Sequence, residues 1–259
     1  MLQEFFERRF SRTKHASGAW RTTRISRHGR FVRWCAGLLS FKHGELDKIA
    51  SLCRPFSLVL DFGCGNGAHA HFFTDGCAAT VVAVDWSPEA LLSINRPARG
   101  TILPVCADLH ALPFKPSSFD ALYTIDTLGH LRAPERALDE IVRVCRSAAP
   151  LFLHSECSDY RTRLPDRKLI QRAGYDPVAA LDGHASIRPA REMRVLYEQR
   201  FSLRTFYSPA GIAGWLIGYP EKYAAALFRA RMYLFAVGCG IAALLKKLPP
   251  FKVVFRIVN

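Results

Sequence analysis

Short apolar runs that end on a glycine or a carboxylate recur through the middle of this chain. Leu58-Val59-Leu60 leads into Asp61-Phe62-Gly63-Cys64-Gly65-Asn66-Gly67, and Thr80-Val81-Val82-Ala83-Val84 stops on Asp85. Val105-Cys106-Ala107 stops on Asp108. Runs this short and this rich in β-branched residues fit buried strands better than helices. The segments between them are long enough for helices, so the order predicts a parallel sheet with helices on both faces. Strands are predicted near 58–62, 80–85, 101–106, 119–124 and 149–155. A helix is expected over 136–145 and another over 191–200. A sixth strand falls on 201–207, and Val253-Val254-Phe255-Arg256-Ile257 would close the sheet as the seventh.

The flanks follow other patterns. Arg21, Arg24, Arg27, Arg30 and Arg33 recur every third residue, which on a helix gives one slowly drifting stripe. Phe31, Trp34, Leu38, Leu39 and Phe41 form an apolar patch beside it, so residues 1–54 read as a basic helical arm. Residues 157–190, rich in Arg, Asp, Gly and Pro, read as an irregular insertion. Met232 to Leu245 holds 14 uncharged residues between Arg231 and Lys246. A helix of that length reaches about 21 Å, short of the roughly 30 Å bilayer core. It is therefore expected as a buried cap helix, with an interfacial helix as the alternative. The expected domains are 1–54 (arm covering the site), 55–207 (core) and 208–259 (helical cap with the closing strand).

Charge sharpens this division. The net charge of +14 is spread unevenly: residues 1–54 carry +8, residues 55–156 carry −4 and residues 157–259 carry +10. Basic flanks can face an anionic membrane, a nucleic acid or an acidic substrate, or simply water. The eight cysteines form no C-x-x-C pair, which points to free thiols in a reducing compartment and argues against a zinc site or a disulfide framework. The first residues lack the apolar run of a secretory signal.

The glycine run carries the chemistry. Glycines let the backbone approach a ligand closely, and a carboxylate ending the next strand can accept ribose hydroxyls. The spacing is G-x-G-x-G with Asp61 just before it, not the G-x-G-x-x-G of dinucleotide sites. A carboxylate there would repel a phosphate but favour an ammonium group. In these features the chain resembles the class I S-adenosylmethionine-dependent methyltransferases. The resemblance continues through Ala111-Leu112-Pro113-Phe114, Ser118-Phe119-Asp120-Ala121-Leu122-Tyr123, Leu128-Gly129-His130-Leu131 and Leu151-Phe152-Leu153-His154. It covers roughly residues 55–156 and is closest to the small-molecule branch of quinone and sterol methyltransferases. The family's Pro-Gly-Gly before the fifth strand is replaced by Ala148-Ala149-Pro150, read as a changed turn.

The resemblance implies a Rossmann-like, seven-stranded, mostly parallel sheet, with an N-terminal helical arm and a C-terminal helical cap inserted before the last strand. It implies S-adenosyl-L-methionine as cofactor. Asp61, Gly63, Gly65 and Gly67 would take the methionine end, Asp85 the ribose and Trp86 the adenine face. Asp108 and the Leu109 backbone would take the adenine edge, with Asp126 and Thr127 near the transferring methyl. His130 is the first candidate for a catalytic base, ahead of His154, Tyr160 and His184. The expected acceptor is an apolar small molecule such as a quinone, lipid or polyketide-like ring. An RNA methyltransferase using the basic flanks, or a non-catalytic cofactor-binding membrane protein, is the alternative. Strand four lacks the Asn/Asp-Pro-Pro-aromatic motif of base N-methylators, and nucleic acid is not the expected partner. The expected location is cytoplasmic, with peripheral contact at the inner face of an anionic membrane. The sequence carries no signal of oligomeric state.

Overall fold

A computed structural model describes residues 50–202, apart from 56, 96, 98, 163, 177, 178 and 180–182, together with 205–207 and 252–257. The expected basic arm up to residue 49 and the expected cap at 208–251, with Met232–Leu245, lie outside the described residues.

Five parallel strands form the centre: β1 (Leu58–Phe62), β2 (Thr80–Asp85), β3 (Thr101–Cys106), β4 (Ala121–Ile125) and β5 (Leu151–Glu156). They lie in the order β3-β2-β1-β4-β5. Beyond β5 the backbone of β7 (Lys252–Ile257) pairs antiparallel, and β6 (Thr205–Tyr207) pairs antiparallel with β7. The chain direction across the sheet reverses between β1 and β4, so the crevice beyond their carboxyl ends is the natural ligand position. β3 is one edge strand. Pro104 sits within it opposite Ala83, as a residue lacking an N–H can at an edge.

The helices are α1 (His71–Cys77), α2 (Pro88–Leu92), α3 (Pro134–Val144), α4 (Leu164–Ala173) and α5 (Ala190–Glu198). Ser87 caps α2 by accepting the Ala90 N–H at 3.2 Å, and Pro88 opens its first turn. α3 also opens on a proline. Its buried residues Ala137, Leu138, Ile141 and Val144 recur at helical spacing. With Met193, Leu196 and Tyr197 of α5 they cover one sheet face around Leu60, Leu122 and Leu153. Ala70, Phe72 and Phe73 cover the other face around Val59, Val81, Tyr123 and Phe152.

Several boundaries differ from expectation: β5 runs over 151–156, not 149–155, and residues 201–202 lie outside β6, which is strand at Thr205–Tyr207. The fourth strand begins at Ala121, because Phe119 makes only an isolated bridge to Cys145. The insertion at 157–190 is not irregular throughout: it contains a 3-10 turn at Ser158–Thr162 and the ten-residue helix α4. Its prolines and glycines suggest a loop, yet Leu164-Pro165-Asp166 reads as a helix start and Gly174, at φ +72°, as its stop.

Candidate cofactor and methyl-transfer site

The turn after β1 has all three glycines in the left-handed region: Gly63 at φ +78°, Gly65 at +52° and Gly67 at +69°. Only glycine adopts this at little cost. A Cβ on Gly63 would stand 2.2 Å from Thr127 Cγ2, so the turn and the end of β4 are in direct contact. Thr127 Oγ1 donates within 3.2 Å of the Gly63 and Ile125 carbonyls.

Asp85 is the anchor beneath this turn. Its carboxylate accepts the Gly65 N–H at 2.8 Å and the Ser87 N–H at 3.0 Å. Gly63 and Cys64 both donate to the Val84 carbonyl at 2.9 Å, and Ala107 donates to the Asp85 carbonyl at 3.1 Å. The cysteine after β3 is tied in as well, for Cys106 Sγ lies 3.5 Å from the Trp86 carbonyl. The glycine turn, Asp85 and Asp108 therefore stand at the carboxyl ends of three neighbouring strands. Trp86 is 40% exposed. Asp108 is exposed and accepts from the His110 N–H at 2.9 Å, with His110 Nδ1 at 2.7 Å. The His110 N–H, above all, holds the Asp108 carboxyl below the ordinary range. Leu109 is buried against the main core.

Asp61 is only 3% exposed. Its neighbour across the β1–β4 pairing is Tyr123, whose hydroxyl donates to Asp61 Oδ2 at 2.6 Å. Burial pushes the Asp61 carboxyl up to about 8, against the Tyr123 hydrogen bond, and the Asp85 charge adds to the rise. Tyr123 is fully buried and stacked on Phe73 at 4.6 Å between ring centroids. The sequence reading did not find Tyr123. The available signal was a tyrosine inside a buried strand, since its hydroxyl there needs a polar partner.

Beyond β4, Asp126 takes a left-handed φ of +55°. Its Oδ1 lies 2.8 Å from Nδ1 of His154, which stands within β5, and its N–H donates to the His154 carbonyl at 2.9 Å. His130 sits in the next turn, Leu128–His130. Its Nδ1 lies 3.2 Å from the Gly183 carbonyl and its ring stacks on His184, 4.7 Å between centroids. Ala185 and Ser186 both donate to the Gly129 carbonyl, at 2.9 and 3.0 Å. The structure thus brings His130, His184, Asp126 and His154 to the β4–β5 end of the sheet. Tyr160 lies on the 3-10 turn that follows β5. Among the described residues no group of acids, histidines and cysteines could hold a metal ion, and no helix is long and apolar enough to cross a membrane.

Residues 60–153 match the family model described as a methyltransferase domain. Demethylmenaquinone methyltransferase of Renibacterium salmoninarum is 32% identical over 112 residues, covering 42% of this chain and 46% of that protein. A tRNA U34 carboxymethyltransferase of Cellvibrio japonicus is 31% identical over 107 residues, covering 38% of this chain and 32% of that protein. The chain thus spans less than half the length of these two curated relatives. In fold, it is similar to geranyl diphosphate C-methyltransferase from Streptomyces coelicolor A3(2), with a TM-score of 0.59 and 13% identity over 84% of this chain and 79% of that one. Residues 60–153 thus form a methyltransferase domain, and the comparisons support S-adenosyl-L-methionine as the cofactor of that domain. The residues present fit that group. The glycine turn exposes backbone and carries no phosphate-binding lysine. The Asp85 carboxylate accepts from the backbone N–H groups of Gly65, Ser87 and Trp86, which leaves acceptor capacity for a ribose hydroxyl among its roughly four positions.

Proposed function

We propose that this protein transfers a methyl group from S-adenosyl-L-methionine to an apolar small molecule, a quinone, lipid or polyketide-like ring. When bound, the cofactor supplies an activated methyl on a sulfonium. In this reading Asp61 and the turn Gly63–Gly67 hold its methionine end, Asp85 its ribose, and Trp86, Asp108 and Leu109 its adenine. Asp126 and Thr127 flank the methyl position. What this chain must add is orientation, exclusion of water and, for an acidic acceptor, a place for a proton. His130 is the proposed base, and the Asp126–His154 pair is the nearest alternative.

The observation that supports a small acceptor is the docking of residues 183–186 onto the Leu128–His130 turn. In this reading that strap walls the acceptor side of the β4 end, an arrangement that suits a compact substrate better than a polynucleotide. The arm at 1–54 and the cap at 208–259 are proposed to complete the enclosure, and the basic flanks to rest on an anionic membrane surface in the cytoplasm. A second reading has its own support: the Cellvibrio relative is a tRNA enzyme, and both flanks are basic. The test is incubation with methyl-labelled cofactor and, separately, membrane lipid extract and total RNA. Label in the organic phase is the expected result. Label only in RNA overturns the small-molecule reading.

A further inference from the structure

Asp108 is gripped through one oxygen, by one residue. Its Oδ1 accepts the His110 backbone N–H at 2.9 Å and lies 2.7 Å from His110 Nδ1. The backbone N–H, above all, holds this carboxyl below the ordinary range, so it is ionised and can only accept. Nδ1 therefore carries a proton and donates. Among the described residues no hydrogen bond reaches Oδ2, and the Asp108 side chain is 67% exposed. His110 Nε2 is buried and meets no hydrogen-bond partner among the described residues. An unpaired buried nitrogen is unfavourable, and an apolar ring of similar shape would avoid it. What a histidine supplies there, and such a ring does not, is the grip on Asp108. The turn that bears it is fixed at both ends. Before it, the Ala107 N–H donates to the Asp85 carbonyl at 3.1 Å, and Leu109 is buried in the main core. After it, the Leu112 N–H donates to Glu140 at 2.6 Å, and Arg143 donates to the Leu112 and Phe114 carbonyls at 2.9 and 2.6 Å.

We propose that His110 is a positioning residue that locks the Asp108 carboxylate in one orientation, Oδ2 toward the cofactor's base, and so makes the site select a 6-amino purine over a 6-oxo purine. This inference rests on the reading that Asp108 meets the adenine edge. A 6-amino group donates to a carboxylate, whereas a 6-oxo group sets a second acceptor against it. The 6-oxo base still carries one donor, the ring N–H beside that oxygen. A carboxylate free to rotate could swing across to this N–H and recover a hydrogen bond. One pinned through Oδ1 cannot. Selectivity therefore depends on the pin as well as on the charge.

The test is calorimetric binding of S-adenosylhomocysteine and S-inosylhomocysteine, which differ only at that edge of the base, to the full chain. Wild type should prefer the adenosyl compound by about tenfold or more. His110→Phe keeps the ring's bulk and removes the donor. It should cut the preference about fivefold, while the melting temperature stays at or above that of wild type. His110→Asn places an amide N–H near the Nδ1 position and should recover most of the preference. Asp108→Ala should abolish it. A merely structural role would weaken both ligands equally in His110→Phe and leave their ratio unchanged. That result, with the preference lost in Asp108→Ala, overturns the proposal and spares the reading of Asp108. A preference that survives Asp108→Ala overturns both, as does equal binding of the two compounds to wild type. Should the phenylalanine variant not fold, His110→Ala removes the same donor and is read the same way.

Discussion

Asp61 offers the most demanding test of the physical account. A carboxyl that burial pushes from 3.8 up to about 8 binds its proton more tightly in the folded chain than in the unfolded one. Its contribution is therefore fully favourable below the unfolded value near 4. It is lost progressively as pH rises toward 8 and stays constant above that. At about 1.4 kcal/mol per pH unit across that window, the loss is on the order of 5 kcal/mol. Asp61→Asn keeps the shape, still accepts the Tyr123 hydroxyl, and cannot ionise. Without cofactor, the variant should be more stable than wild type by several kcal/mol at pH 8, and the two should converge near pH 4.5. Urea unfolding followed by circular dichroism at five pH values measures this, with the wild-type-minus-variant difference cancelling the other titrating groups. Above pH 8, where Asp61 is ionised, the same variant should bind S-adenosyl-L-methionine more weakly, by about tenfold or more, because the proposed ammonium partner has lost its charge. A stability difference that does not change with pH would refute the reasoning.

Three further outcomes follow from the site. Gly63→Ala combines a left-handed backbone with a Cβ 2.2 Å from Thr127. It should cost about 3 kcal/mol in urea unfolding, and Thr127→Ala in the same chain should restore part of that. Asp85→Asn keeps an acceptor but loses the charge beneath the Gly65 N–H; calorimetry should show cofactor affinity falling at least tenfold. Arg143 donates to the Phe114 and Leu112 carbonyls at 2.6 and 2.9 Å and pairs with Glu140. Arg143→Met should cost about 2 kcal/mol and speed amide exchange across 108–114, the segment that carries Asp108.

The central strands were legible because each ends on a residue that strands and turns use differently. Gly63, Asp85 and Asp108 mark three strand ends that the sheet then places side by side. The parallel order was legible because the segments between strands are long enough for crossovers, although the one between β3 and β4, at 107–120, is made of turns and holds no helix. What the linear pattern could not show was pairing across the sheet. Tyr123 meets Asp61 because β4 lies beside β1 in one register, and His154 meets Asp126 because β5 ends beside β4. Those contacts join residues far apart in the chain, and no local spacing encodes them. α4 was hidden differently. Its helix-forming residues sit among prolines and glycines that dominate a composition count.

One feature at the far edge of the sheet bears on how this chain can be altered. Tyr207 of β6 pairs with Val254 of β7, so the intervening stretch leaves and rejoins the scaffold at points about one strand spacing, some 5 Å, apart. A stretch rooted at two adjacent points can be exchanged for a tight hairpin without moving any central strand. The central strands and the connection between β6 and β7 therefore meet at a single junction, which makes that junction a natural place for transplants between relatives.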